Sequence, residues 1–234
     1  VKPKPVVAST SMENAPAVIG AAEAMVESKK LAAACTNLDE LKQAIANFDG
    51  LSVKKTATNM VFSDGNPKAD IMLIGEAPGA DEDAQGKPFV GASGQLLDKI
   101  LASIGLARDS KEIDKAVYIS NILNWRPPGN RTPTAQEIEI SLPFIEKHIE
   151  LVSPKYLILC GAVPGKSLLN QKASISKLRG KFHEYQAISI QNTAQERTIL
   201  ALATYHPAYL LRTPAQKRAV WADMLMLKSE LYNS

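Results

Sequence analysis

Four short apolar runs constrain this chain more than any other feature: IMLIG at 71–75, VYISNIL at 117–123, KYLILCG at 155–161 and TILALATY at 198–205. Each is too short for a helix and apolar at successive positions, the pattern of a strand buried on both faces. Amphipathic segments separate them. SGQLLDKILASIGL puts Leu96, Leu97, Ile100, Leu101 and Ile104 on one stripe, with Ser93 as the expected N-cap. Thr134 and Glu137 predict a capping box ahead of IEISLPFIEKHIEL. This alternation predicts an α/β fold, a three-layer α/β/α sandwich around a central, mostly parallel sheet of about four strands.

N-terminal helices are expected in front of that domain. Residues 1–20, rich in Pro, Ala and Ser without a stable period, are predicted to be a flexible tail or linker. Residues 21–53 read as a helical cover: an Ala-rich stretch to about Ala34, then a capping-box-like start at Thr36-Asn37-Leu38-Asp39 with Leu41, Ala44, Ile45 and Phe48 on one face. The α/β domain is expected over 54–234. No internal repeat is visible.

Composition narrows the function classes. A net charge of +3, from 27 Lys+Arg against 24 Asp+Glu, permits a polyanionic partner without demanding one. No apolar stretch reaches the roughly 18 residues of a spanning helix and no basic-then-apolar leader appears, so a soluble intracellular protein is expected. Its expected location is cytoplasmic and its expected state monomeric. Cys35 and Cys160 stand far apart with no Cys or His at ligand spacing, which argues against a zinc site and a disulfide framework and makes both core thiols.

In open α/β sheets, ligands bind at the carboxyl ends of the strands. Three of the four runs end there in unusual polar sequence, and these segments should converge on one cleft. GAVPGKS at 161–167 imitates a phosphate-binding loop but has one residue too few between its first glycine and Gly-Lys-Ser, and reads as a strand-to-helix turn with Pro164 near the helix start.

GEAPGADEDAQGKPFVGASG at 75–94 is different in kind, because a long segment without its own periodicity between a buried strand and a helix is usually functional. Gly75 and Gly79 allow close backbone approach to a ligand. Glu76 should project into the cleft, where a carboxylate stabilises a developing cation or orients a water. Phe89 reads either as core or as a stacking plate for a planar ligand. Asn121, with a donor and an acceptor, suits an amide-like edge such as that of a pyrimidine. His206, beside Pro207 at the end of the fourth run, is either a satisfied structural residue or an imidazole held over the cleft. Tyr209, Leu210 and Leu211 beside Arg212 suit a wedge pushed into a base stack, or a helix start docking its first turn. Arg126, Arg131, Lys177, Arg179 and Lys181 lie where cations meet phosphates or simply water.

Taken together, Gly75-Glu76-Ala77-Pro78-Gly79, Gly86-x-Pro88-Phe89-Val90-Gly91, Arg126-Pro127-Pro128-Gly129-Asn130-Arg131, Leu178-Arg179-Gly180 and His206-Pro207-Ala208 resemble the family-4 uracil-DNA glycosylases, in order, from about Lys54 to Leu231. The resemblance implies a monofunctional base-excision repair hydrolase that flips uracil out of DNA and leaves an abasic site. It implies Glu76 and His206 as catalytic residues, the first beside the sugar with the attacking water, the second stabilising the departing base. Gly75, Ala77, Phe89 and Asn121 would hold uracil. Arg126, Arg131, Arg179, Leu210, Leu211 and Arg212 would contact DNA, with a leucine and Arg212 filling the gap in the duplex. Asp81, Glu82 and Asp83 are expected to tie the loop's own backbone.

The resemblance also implies an iron–sulfur cluster on four cysteines, and here the chain departs from it. The matching positions are Phe48, Leu51, Trp125 and Ser141, none of them a thiolate, so no cluster and no metal are expected, with packing filling the space. Two other readings stay open: a catalytically inactive DNA-binding relative of the same fold, and a nucleotide hydrolase.

Overall fold

The computed structural model describes residues 20–189 and 198–233. The expected tail therefore lies, apart from Gly20, outside the described residues. Helices α1 (Ala21–Ala34) and α2 (Leu38–Asn47) open the fold. Asn37 caps α2 by accepting from Glu40 N, and the Glu40 carboxylate in turn accepts from Thr36 N at 2.7 Å. The next elements are β1 (Asp64–Gly65), β2 (Ile71–Gly75), α3 (Ala80–Gln85), α4 (Ala92–Ala102), β3 (Val117–Asn121), α5 (Ala135–Val152) and β4 (Tyr156–Cys160). Then come α6 (Ala162–Leu168), α7 (Ile175–Leu178), β5 (Phe182–Tyr185), β6 (Ile199–Thr204), α8 (Pro207–Arg212) and α9 (Lys217–Asn233).

Among the described residues the sheet has six strands, in the order β1-β3-β2-β4-β6-β5. The four apolar runs supply its parallel centre, β3-β2-β4-β6, while β1 and β5 add antiparallel edges. The expected count of about four is corrected by those edges. They are two and four residues long, and β5 reads FHEY, so neither shows as an apolar run. Short polar edges also blunt a sheet against pairing with another chain.

Alternation within each central strand sorts the core into two layers. Met72, Ile74, Tyr118, Leu157, Leu159, Ala201 and Ala203 pack with residues of α1, α2 and α5. Ile71, Leu73, Val117, Ile119, Ile158, Cys160 and Leu202 pack with residues of α4, α8 and α9. Helix α5 starts at the expected capping box, Thr134 Oγ1 accepting from Glu137 N while the Glu137 carboxylate accepts from Thr134 N. GAVPGKS is no phosphate loop: Gly161, at φ 102°, caps α6, and residues 162–167 are already its first turns, with Pro164 near the start. Helix α4 begins two residues earlier than expected: Gly91, not Ser93, is the cap, and Ser93 lines the cleft from the first turn.

Candidate active site

Strands β2 and β3 end side by side, Gly75 in register with Asn121, and β6 ends at Thr204, two residues short of His206. Glu76, Ala77, Phe89, Asn121, Arg131 and His206 therefore line one cavity of about 170 Å³. That is below the roughly 300–1,000 Å³ of pockets built for larger ligands and suits one small planar ring.

Gly75 sets the closeness of this packing. A Cβ there would lie 2.3 Å from Asn121 Oδ1 and 2.7 Å from the Phe89 ring, so both side chains lie directly over its backbone. Asn121 is buried, and among the described residues its amide makes no hydrogen bond. Phe89 is 5% exposed yet lies at φ 53°, a left-handed conformation that costs a bulky residue roughly 1–3 kcal/mol. Its ring is both core and wall of the cavity, and it stacks on the His206 imidazole.

The acidic segment, read as having no periodicity of its own, contains a short helix. Residues Ala80–Gln85 form α3, which Gly86 ends at φ 69°. Two of its three carboxylates, Glu82 and Asp83, hold backbone. Glu82 accepts from Gly79 N at 3.1 Å and from Val90 N and Gly91 N at 2.9 Å, tying the two ends of the segment together. Asp83 does not tie the loop to itself: its carboxylate accepts from Thr58 N and Asn59 N, upstream of the sheet.

His206 caps α8, its Nδ1 accepting from Ala208 N at 3.1 Å. With Nδ1 an acceptor, the neutral ring carries its proton on Nε2 as a donor. Burial pushes its pKa down to about 4, with Arg212 adding to the effect and Glu82 opposing it, so the ring is neutral at pH 7. Burial raises the pKa of Glu76. The cleft thus pairs an uncharged donor with a carboxyl that is more basic than usual.

The cations divide sharply. Arg131 is held bidentate by Glu137 at 2.6 and 2.8 Å while still lining the cavity. Arg126 donates to Asn130 Oδ1 at 2.6 Å. Arg179, expected at the DNA, faces inward: it forms two hydrogen bonds to fully buried Asp223, donates to the Ala219 carbonyl and lies over Tyr205. Leu210 is 1% exposed in the core with α4 and α9, so it is no wedge; the helical turn that buries it turns Leu211 outward at 47% exposure beside exposed Arg212.

Sequence reasoning missed Glu82, Ser93 and Asn130 as lining residues, and Arg108, which donates to the Pro88 and Phe89 carbonyls, as a support. Glu82 stands among acids that differ only in where the helix turns them. Arg108 lies in an unpatterned connection, and its role exists only through contacts made about twenty residues upstream.

The four positions at which the resemblance implies cluster cysteines are filled by packing. Phe48, Leu51 and Trp125 are buried in the layer under α1, α2 and α5. The Phe48 ring meets Phe144 edge-on at 5.3 Å, one turn beyond Ser141, and Lys54 donates to the Phe48 carbonyl while lying 5.9 Å over the Trp125 ring. Ser141 Oγ is buried without a hydrogen-bond partner. Neither thiol fits the role: burial raises the pKa of Cys35, whose Sγ donates to Leu31 O, and pushes that of Cys160 in β4 up to about 12. A thiolate-held cluster does not fit these donors. Among the described residues, no group of three or more His, Cys, Asp or Glu side chains could hold a metal ion, and no helix is long and apolar enough to cross a membrane.

Comparison with known proteins shows the family. A sequence model of the uracil DNA glycosylase superfamily matches residues 62–225. The chain is 36% identical to the type-4 uracil-DNA glycosylase of Archaeoglobus fulgidus over 191 residues, 80% of this chain and 89% of that one. It is 34% identical to the type-4 enzyme of Pyrobaculum aerophilum, over 81% of this chain and 92% of that one. The type-4 enzyme of Saccharolobus solfataricus is 36% identical over 83% of this chain and 87% of its own length.

Proposed function

The chain belongs to the uracil DNA glycosylase superfamily, and on that premise we propose that it excises uracil from DNA by hydrolysing the N-glycosidic bond, leaving an abasic site. The observation that carries this reading is the meeting of Glu76, Phe89, Asn121 and His206 around one small cavity. The superfamily and the names of the relatives favour it over an inactive DNA-binding relative or a nucleotide hydrolase.

The flipped base would lie against Phe89 with its amide edge toward the Asn121 amide. As the C1′–N1 bond stretches, positive charge grows on the sugar and negative charge on the base. Glu76, ionised, faces the cationic side and orients the water whose oxygen bonds to C1′; the water's proton ends on the base. His206 donates from Nε2 to the uracil anion, and a neutral, preset donor needs no rearrangement as that charge appears. Leu211 and Arg212 fill the vacated stack, Arg126 meets phosphate, and Arg131 and Arg179 hold the walls.

We read residues 54–234 as the glycosylase domain, 21–53 as its helical cover and 1–20 as a linker. We read the protein as a cytoplasmic monomer, and as free of an iron–sulfur cluster because its donor set lacks thiolates at the matching positions. The test is release of free uracil from an oligonucleotide carrying one U, beside a T control and Glu76→Ala. Release from U alone, reduced about 10²–10⁴-fold in the variant, is expected. DNA binding without release would replace the reading with that of a binding module.

A further inference from the structure

Phe89 stands in a conformation that its own side chain disfavours, and the neighbourhood shows what keeps it there. Arg108 donates from Nη1 to the Pro88 carbonyl and from Nη2 to the Phe89 carbonyl, both at 2.9 Å. The fork is itself oriented by two carboxylates: Asp98 accepts from Nε at 2.9 Å and Asp64 from Nη1 at 3.2 Å. From the other side, Glu82 takes the N–H groups of Val90 and Gly91. Helix α4 closes against the same peptide, where a Cβ on Gly94 would sit 1.9 Å from the Phe89 carbonyl oxygen. The two carbonyls and two amides of 88–91 are thus gripped from opposite sides by one cation and one anion.

We propose that Arg108 is a positioning residue for base recognition, fixing the plane and depth of the Phe89 ring and so the affinity of the cavity for a planar pyrimidine. The guanidinium fork matches two adjacent carbonyls as an ammonium cannot. Without it, the 88–91 peptide is free to leave its left-handed turn, and the ring leaves its place between Gly75 and His206. Arg108 does not line the cavity, so its effect on the base passes through Phe89.

The proposal rests on the uracil reading of the cavity, and a double-mutant cycle separates the two. Arg108→Met, Phe89→Leu and the double variant are compared for inhibition by free uracil and for KM and kcat on U-containing DNA, with 19F NMR of 4-fluorophenylalanine at position 89 in the Arg108 variant. Arg108→Met is expected to weaken uracil binding about tenfold or more, shift or broaden the 19F signal, and add nothing in the Phe89→Leu background. Losses that multiply in the double variant, or an Arg108→Met protein with wild-type uracil affinity and an unmoved signal, would overturn it. Should Arg108→Met fail to fold, Arg108→Lys, which keeps the charge for Asp64 and Asp98, is put through the same cycle and is expected to show a smaller loss, again only when Phe89 is present. If the unsubstituted protein neither binds nor releases uracil, the glycosylase reading fails, and the 19F comparison alone decides whether Arg108 holds the ring.

Discussion

The Phe89 ring and the His206 imidazole lie stacked, centroids 5.4 Å apart and planes 27° from parallel. The two residues are 117 positions apart, yet each packs against a glycine: Gly75 beneath Phe89, where a Cβ would come 2.7 Å from the ring, and Gly161 beside His206, at φ 102° and with room for a Cβ only 3.3 Å from the His206 Cβ. Plate and donor are therefore seated by close backbone approach rather than by side-chain bulk.

Phe89→Leu keeps the apolar volume and loses the flat face, so kcat/KM on U-containing DNA should fall about ten- to hundredfold, while stability changes by less than about 1.5 kcal/mol. Gly75→Ala should abolish most activity by pushing Asn121 and Phe89 apart. Wild-type kinetics for Gly75→Ala would mean that the closeness of this packing is irrelevant to catalysis.

Acid should unfold this protein from within. His206, with a pKa of about 4, and His148, buried against Phe62 with its Nε2 3.0 Å from the Tyr118 hydroxyl and a pKa of about 3, both sit below the ordinary 6.5. The unfolded chain takes up these protons first, so stability is whole above pH 6.5 and falls as pH drops toward 4, each histidine adding a slope of up to about 1.4 kcal/mol per pH unit. Denaturant titrations of His148→Gln should show a shallower fall over that range; an unchanged slope would show that the imidazole is not held neutral. Because Glu76 is raised by burial, the acid limb of kcat/KM should lie above the ordinary carboxylate range.

Neighbouring leucines should part company. Leu210→Ala opens a cavity between α4, α8 and α9 and should cost about 2–5 kcal/mol of stability. Leu211→Ala should stay within about 0.5 kcal/mol in stability while slowing excision from duplex DNA. Equal loss of stability in both would contradict the outward placement of Leu211.

Removing the partner of Arg179 should be severe. Asp223 is fully buried and also accepts from Thr204 Oγ1, so Asp223→Ala leaves a largely buried guanidinium unpaired and should cost about 3–5 kcal/mol in urea unfolding. The salt dependence of DNA binding, by contrast, should be the same for Arg179→Met as for the unsubstituted protein; a lower slope would place Arg179 on a phosphate.

Iron should be neither present nor missed. Protein purified without oxygen should hold far less than one iron per chain and keep its Tm in a chelator, whereas Phe48→Ala should cost about 3–5 kcal/mol because that ring fills the packed layer against Phe144. About four irons per chain would refute the cluster-free reading.

The sequence by itself determined the architecture, because a run such as IMLIG, apolar at every position, is stable only between two layers, and four such runs separated by helices leave little choice but a parallel sheet. It also placed the cleft, since the polar segments following β2, β3 and β6 must emerge at the same sheet edge. Local capping was legible too, as at Thr134 and Glu137, because both partners lie within one turn. What tertiary structure decided is everything that depends on direction. Leu210 and Leu211 are interchangeable as letters, and only the docking of α8 on α4 sends one inward. Arg179 reads as a free cation until α9 brings Asp223 beneath it. Arg108 is invisible until the chain returns two remote carbonyls to its fork. Periodicity records how each segment meets a layer, whereas partners distant in sequence exist only once the layers close.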